Sequence, residues 1–420
     1  MKTRAIILAG GEGTRLSILT AKRTKPAVPF GGKYRIIDFA LSNCINSNLV
    51  DIMIVAQYRP HSLLEHIGAG GPWDLNREIT GGVKIFTPYR ALASGWFRGT
   101  ADAVQQNYSF IKRGNPETLL ILSGDHIYKM SYEDMIQYHT ACQADVTLAT
   151  LEVPIEEASR FGIIGIDDQQ RVISFVEKPK DPPSNLANMG VYLFSRDILN
   201  KVLWEDHLRQ DSSHDFGKDI LPNMVKEGYR IFAFPYQGYW VDVGTTISYW
   251  QAHMDLLSET PALNLFDPAW QIYTREEIHP PAHILPGAVL ENSMVCNGCI
   301  IHKGAFIRNS VLSPGVQVNA GSIIEQSIIL TDTKVGKNAK IYQAILDKHV
   351  EIEDDVEIGD ASLPEPPTLT MIGKNSIIPN SMKIESGVTV GTDVIASDFT
   401  STVIHTGERI QTRRLPNEVQ

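Results

Sequence analysis

From residue 287 onward the chain repeats itself with a step of 17. Gly287-Ala-Val-Leu-Glu-Asn-Ser293 is followed by Gly304-Ala-Phe-Ile-Arg-Asn-Ser310 and Gly321-Ser-Ile-Ile-Glu-Gln-Ser327, with a fainter copy at Asn338-Ala-Lys-Ile-Tyr-Gln-Ala344. Within the repeat, branched aliphatics recur every six residues, as at Val289, Val295, Ile301 and Ile307. The beat resumes after a proline-rich break (Pro364, Pro366, Pro367) at Ile372, Ile378, Ile384 and Val390. An antiparallel sandwich would alternate with period two. Six-residue aliphatic spacing with Gly, Asn or Ser at the corners instead fits a parallel β-helix, in which three hexads less one residue make a triangular coil.

The earlier part of the chain has a different grammar. Apolar runs such as Ile52-Met53-Ile54-Val55, Leu119-Leu120-Ile121-Leu122, Val146-Thr147-Leu148-Ala149 and Gly190-Val191-Tyr192-Leu193-Phe194 alternate with helical patterns. Buried strands separated by helices predict an α/β domain around a doubly wound, mostly parallel sheet. The expected division is a catalytic domain over 1–260, a proline-containing linker over 261–280 and the β-helix over 281–420, two domains being usual for 420 residues.

The first strand, Arg4-Ala5-Ile6-Ile7-Leu8-Ala9, runs into Gly10-Gly11-Glu12-Gly13-Thr14-Arg15-Leu16, and Lys25-Pro26-Ala27 follows. Clustered glycines let backbone N–H groups approach an anion closely. The dinucleotide fingerprint fails for want of a third glycine at Leu16, and the G-x-x-x-x-G-K-[ST] motif is absent. Arg15 and Lys25 flank the loop instead, as two cations beside a phosphate-sized nest. Residues 1–35 carry eight bases against the single acid Glu12, in a chain whose net charge is −10. That distribution marks a focused anion site and argues against nucleic acid or an anionic membrane as a partner. No apolar run approaches the ~18 residues of a spanning helix. The N-terminus is too short and wrongly flanked for a signal peptide. With four cysteines (Cys44, Cys142, Cys296, Cys299), this predicts reduced thiols and a cytoplasmic protein. Cys296-Asn297-Gly298-Cys299 has zinc-ligand spacing, but it is a single pair at a coil corner and reads as structural.

Two acids end apolar strands: Asp125 in Ser123-Gly124-Asp125-His126 and Asp242 in Trp240-Val241-Asp242-Val243-Gly244-Thr245. Ligands of open α/β sheets bind beyond the carboxyl ends of strands, and two carboxylates can share one Mg²⁺ with phosphate oxygens and water. Lys178 in Val176-Glu177-Lys178-Pro179 precedes a proline, which predicts extended backbone and a point charge suited to a phosphate.

The string G-G-x-G-T-R-L followed by K-P-A resembles the sugar-1-phosphate nucleotidylyltransferases, several of which carry a left-handed hexapeptide-repeat domain. Ser42-Asn43-Cys44, Trp96-x-x-Gly99-Thr100-Ala101-Asp102 and His214-Asp215-Phe216-Gly217-Lys218-Asp219 narrow the resemblance to the glucose-1-phosphate adenylyltransferase family, over nearly the whole chain. The resemblance implies synthesis of ADP-glucose from ATP and glucose 1-phosphate with release of pyrophosphate, committing carbon to glycogen. It implies Mg²⁺ on Asp125 and Asp242, with Asp125, Arg15 and Lys25 as the catalytic set. The nucleotide would meet Leu8, Ala9, Gly10, Gly11, Gly13, Thr14, Gln57, Trp96, Arg98, Gly99 and Thr100. Glucose 1-phosphate would meet Gly162, Glu177, Lys178, Asn188, Gly190, Asp215 and Trp240, Asn188 standing where many bacterial members have serine.

A small anionic effector is expected at Lys22, Arg23, Arg35, Arg409, Arg413 and Arg414, within a homotetramer. Pro29 stands where some enteric relatives have a histidine, so their effector is not carried over to this chain. Three alternatives stay open: an inactive regulatory subunit of the same fold, a bifunctional enzyme whose β-helix transfers acyl groups, and a uridylyl- or guanylyltransferase.

Overall fold

The computed structural model describes residues 2–77, 80–88, 96–415 and 418. Two compact units emerge. One comprises Met1–Gly11, Ile37–Trp240 and Asp267–Tyr273, the other Glu12–Ile36, Val241–Phe266 and Thr274–Gln420.

The first unit is built on a nine-stranded sheet. Strand Thr3–Ala9 runs parallel to Asp51–Ala56 on one side and to Thr118–Ser123 on the other. Gly82–Phe86 continues the parallel set. Leu186–Ser195 then pairs antiparallel with both Thr118–Ser123 and Val146–Glu152, so the sheet is mixed. Ile6, Leu119 and Ile121 are wholly buried in a core that also takes Val104, Leu199 and Phe216, as expected of central strands covered on both faces. The register aligns Ala9 with Ala56 and Leu8 with Ser123. Gly10, Gln57 and Gly124-Asp125 therefore leave the sheet along one carboxyl edge.

The second unit contains the repeat, folded as three sheets whose strand pairs are all parallel. This agrees with the left-handed β-helix expected of hexapeptide repeats. Ile301, Val318, Val335, Ile352 and Ile378 stack in register along one face. Ile307, Ile324, Ile341, Ile358 and Ile384 stack along the second. The strict six-residue reading needs one correction. Leu290, not Val289, aligns with Ile307, and Val289 is exposed. The inward positions 290, 295, 301, 307 and 312 thus contain five-residue steps, which is where a coil of 17 loses its residue.

Serine and amide ladders explain the other repeated letters. The Ser310 amide donates to Ser293 Oγ (3.2 Å) and the Ser327 amide to Ser310 Oγ (3.1 Å). Asn292, Asn309, Gln326 and Gln343 all take positive φ at the corner, and Asn292 Nδ2 donates to Asn309 Oδ1 at 2.8 Å. Asparagine tolerates that conformation better than most residues.

Candidate active site

In the first unit, residues expected on the nucleotide side gather around Gln57. A side chain at Gly10 would begin 3.6 Å from Gln57 Cβ. The Gln57 amide clamps the backbone of Phe97, its Oε1 accepting from the Phe97 amide at 2.7 Å and its Nε2 donating to the carbonyl at 3.5 Å. Trp96 stacks on Tyr58 with ring centres 4.8 Å apart and stays half-exposed, leaving a flat aromatic face at the strand ends. The Arg98 amide donates to Asp102 Oδ2 at 2.8 Å, and the helix Thr100–Gln106 follows. Leu8 and Ala9 are the last residues of the first strand, behind this loop. Gly11 is exposed.

Asp125 follows the third parallel strand. Its Oδ1 accepts from the Ser123 hydroxyl and lies 3.4 Å from His126 Nε2. The His126 ring meets the edge of Trp240 at 4.9 Å, and Phe161 meets Trp240 at 5.3 Å. Glu177 Oε2 would lie 2.8 Å from a side chain begun at Gly162 and 2.7 Å from one begun at Gly217. Its carboxylate occupies room that only two glycines leave. Lys178 Nζ is 3.2 Å from Glu177 Oε1. The extended backbone expected there is not observed: Lys178 has φ +47°, and its amide donates to the Phe161 carbonyl at 3.0 Å. That bond extends the antiparallel pairing one residue past Glu177 and Gly162, and the positive φ at Lys178 then turns the chain out of the strand Val172–Glu177 despite the preference imposed by Pro179.

Asn188 donates to the Tyr192 hydroxyl at 2.8 Å and accepts from the Gly190 amide at 3.1 Å. Asp215 caps the π-helical turn Phe216–Ile220, accepting from the Gly217 and Lys218 amides at 2.9 and 3.1 Å. Its Oδ2 accepts from the Thr100 hydroxyl at 3.0 Å.

In the second unit, Gly13 takes a left-handed φ of +70° ahead of the turn of helix Thr14–Thr20. A side chain there would meet Thr20 and Lys25 Cβ at 3.0 and 3.1 Å, so the loop is drawn tightly over Lys25. Lys25 Nζ lies 2.7 Å from Asp242 Oδ1, with the lysine almost wholly buried. Arg15 Nη2 and both Asp242 oxygens lie within 2.9 Å of the point where a Gly244 side chain would begin. Arg15, Lys25 and Asp242, distant in sequence, thus form one cluster of two cations and a carboxylate. Gly244 was not expected to matter; the string V-G-T after Asp242 was the available signal.

The same unit gathers part of the expected effector cluster. Lys22 Nζ contacts the Asp393 carboxylate at 2.5 Å, and an Arg414 guanidinium nitrogen donates to the Asp393 carbonyl. Arg23 pairs with Asp347 at 2.9 Å. Arg35 Nη1 donates to the Ala27 carbonyl at 3.4 Å. Two lysines that sequence reasoning missed join them. Burial, with Arg35 and Arg23 beside it, lowers Lys348 to about 8 against the pull of Glu277 and Asp347. Burial and the charge of Arg23 also lower Lys374. Nothing in the spacing of coil residues signals either lysine. Arg413 is tied by its backbone amide to Asp398 at 2.9 Å, and Arg409 is exposed in the strand Arg409–Ile410. Cys299 is buried and its thiol donates to the Ser313 carbonyl at 3.2 Å, in line with a structural role.

A family model described as "Nucleotidyl transferase" matches residues 4–259, and one described as "GlmU-like, C-terminal hexapeptide" matches residues 281–364. The first match, over more than half of the chain, makes it a nucleotidyltransferase. Relatives named glucose-1-phosphate adenylyltransferase are similar over most of the chain. That of Thermomicrobium roseum is 49% identical over 96% of both chains. That of Thermotoga maritima is 47% identical over 98% of this chain and 99% of its own. That of Clostridium novyi is 51% identical over 71% of this chain and 78% of its own. The chain belongs to the glucose-1-phosphate adenylyltransferase family. No helix among the described residues is long and apolar enough to cross a membrane.

Proposed function

We propose that the protein transfers the adenylyl group of ATP to glucose 1-phosphate, releasing pyrophosphate and ADP-glucose for glycogen synthesis, in a reducing cytoplasm. The cluster of Arg15, Lys25 and Asp242 around Gly244, in a chain of this family, is the observation that carries the reading. Asp125 and Asp242 offer hard carboxylate oxygens, the donor type that Mg²⁺ takes together with phosphate oxygens and water. When bound, Mg²⁺ would supply charge neutralisation and orientation of the phosphates.

The protein's own residues do the rest. A sugar phosphate with a second pKa near 6, as in other phosphate monoesters, is mostly dianionic at pH 7. It can attack the α-phosphorus of ATP without a general base, so no catalytic histidine is assigned. Positioning and charge neutralisation are what remain for the protein to provide. Arg15 and Lys25 face the triphosphate and offset the charge of the departing pyrophosphate. Gln57 and the Trp96–Thr100 loop hold the adenine side, Lys178 holds the phosphate of glucose 1-phosphate, and Glu177 and Asn188 hold its hydroxyls.

The charged group of Lys22, Arg23, Arg35, Lys348, Lys374 and Arg414 supports an effector site for a small phosphorylated metabolite in a homotetramer. Pyrophosphate release measured with ATP, UTP, GTP and CTP, each with glucose 1-phosphate and Mg²⁺, tests the assignment. ATP should be strongly preferred. Equal or greater turnover with another nucleotide rejects it.

A further inference from the structure

Two segments of the first unit are bound together by a set of hydrogen bonds that phosphate and metal binding do not require. The His214 carbonyl accepts from the Ala101 amide at 2.9 Å and the Asp102 amide at 3.3 Å. It thereby satisfies donors at the start of helix Thr100–Gln106 that have no partner within the helix. His214 does this from a left-handed φ of +54°, a conformation costly for a residue with a side chain. Its ring is held in place. His214 Nδ1 lies 2.7 Å from Asp206 Oδ2, both side chains being almost wholly buried. Ser212 completes the bracket, donating to Asp206 Oδ1 at 2.6 Å and accepting from the His214 amide at 2.9 Å.

The next residue extends the bracket in both directions. The Thr100 hydroxyl donates to Asp215 Oδ2 and accepts from the Phe216 amide, each at 3.0 Å. Asp215 Oδ1 caps the turn that contains Gly217, and Gly217 forms one wall of the Glu177 carboxylate site. On the other side, Asp102 holds the Arg98 amide and Gln57 holds Phe97. Hydrogen bonds thus run from Phe97 and Arg98 of the aromatic loop to the turn at Gly217, and Gly217 packs so closely against the Glu177 carboxylate that it leaves no room for a side chain.

We propose that Asp206, His214, Thr100 and Asp215 form a latch that couples the 96–100 loop to the wall of the Glu177 site, so that nucleotide and sugar phosphate each tighten the binding of the other. Asp206 and His214 are positioning residues in this scheme. The bonds from Thr100, Gly217 and Lys218 use both oxygens of the Asp215 carboxylate, which gives it a positioning task in addition to lining the sugar. The coupling runs through a backbone conformation that a ligand on either side favours, and it must be reciprocal. The inference rests on the substrate assignment above.

The test is equilibrium binding of a non-transferable ATP analogue, α,β-methylene-ATP, by calorimetry, with and without glucose 1-phosphate, and the converse titration. In the unaltered protein each ligand should tighten the other by about fivefold or more, the lower end of ordinary coupling. Asp206→Asn keeps the shape of the bracket, and Thr100→Val removes the hydroxyl. Both should bring the factor close to one, whereas Thr100→Ser should restore it. Asp206→Asn should bind each ligand alone within about threefold of the unaltered protein, a loss of coupling at ordinary coupling strength without loss of either site. Circular dichroism and thermal melts establish that each variant is folded. If Asp206→Asn does not fold, Thr100→Val against Thr100→Ser decides. Binding of both ligands without mutual tightening, or tightening that survives Thr100→Val, overturns the latch and leaves the substrate assignment standing. Failure of the unaltered protein to bind either ligand overturns the substrate assignment and the latch with it.

Discussion

Arg23 and Asp347 stand 324 residues apart in the chain and meet in a 2.9 Å ion pair with both side chains almost wholly buried. Arg23 also donates to the Leu19 carbonyl at 3.2 Å, and the Lys348 amide donates to Asp347 Oδ1 at 2.7 Å. The pair fastens the segment Glu12–Ile36, which carries Arg15 and Lys25, to a coil of the β-helix. Removing one partner of a buried pair leaves the other charge uncompensated, at a cost of about 3–5 kcal/mol. Asp347→Ala should lower stability by roughly that amount, read as a shift of the urea midpoint at constant slope. An unchanged midpoint would show that the pair holds nothing together.

Asp125→Asn should keep the fold and lower kcat by roughly 10²-fold or more, the scale of losing one preorganised electrostatic group. Asp242→Asn should behave alike, since it also removes the negative charge beside Lys25. If the two acids serve one ion, the double variant should lose far less than the product of the single losses. Steady-state kinetics across a Mg²⁺ titration decide the point, and multiplicative losses would speak against a shared ion.

The repeat was legible because each coil must bury the same positions. Ile372, Ile378 and Ile384 fall into register beyond the proline-rich break, as their spacing implied. Asp125 was legible for a similar reason, since an apolar strand ending in Gly-Asp has its polar terminus at the sheet's carboxyl edge. The backbone at Lys178 was not, because its positive φ and the bond from its amide to Phe161 depend on tertiary pairing that local preference cannot see. Lys348 and Lys374 were equally hidden. Their surroundings are set by Arg23 and Arg35, hundreds of positions earlier.

Lys178 is the exposed member of the Glu177–Lys178 pair, free to reach a phosphate that is charged both before and during the reaction. Binding of that kind is nearly uniform along the reaction path. Lys178→Ala should therefore raise KM for glucose 1-phosphate by about tenfold or more, with kcat changed much less. A rise confined to KM for ATP would assign the lysine to the other substrate.

Asp393 ties Lys22 to Arg414, through its carboxylate and its carbonyl respectively. Although burial raises it, the hydrogen bonds from Lys22 and Asn375 hold the Asp393 carboxyl below its ordinary value. A phosphorylated effector competing for these cations would shift the segment that carries Arg15 and Lys25, which is a route to regulation. The double variant Lys22→Ala, Arg414→Ala should abolish activation by sugar phosphates or glycolytic intermediates while basal turnover stays close to that of the unaltered protein. Activation curves that superimpose on the original would remove the effector site from this position.

His253 supplies the pH dependence. Its Nδ1–H donates to the Tyr249 carbonyl at 2.9 Å and its Nε2 accepts from the Gly31 amide at 3.1 Å, so the neutral ring is the form the fold uses. Complete burial lowers its pKa to about 4 from 6.5. A group that must stay neutral when folded but protonates when unfolded takes up protons preferentially in the unfolded chain. The stability it contributes is thus complete above about pH 6.5 and is lost as pH falls toward 4, by about 3 kcal/mol at about 1.4 kcal/mol per pKa unit. His139, lowered to about 4 chiefly by burial, adds a loss over the same range. His253→Gln keeps an acceptor for Gly31 but cannot titrate. Urea midpoints measured from pH 7.5 to 4.5 should fall less steeply for His253→Gln than for the unaltered protein. Parallel curves would show that His253 does not carry this part of the acid sensitivity.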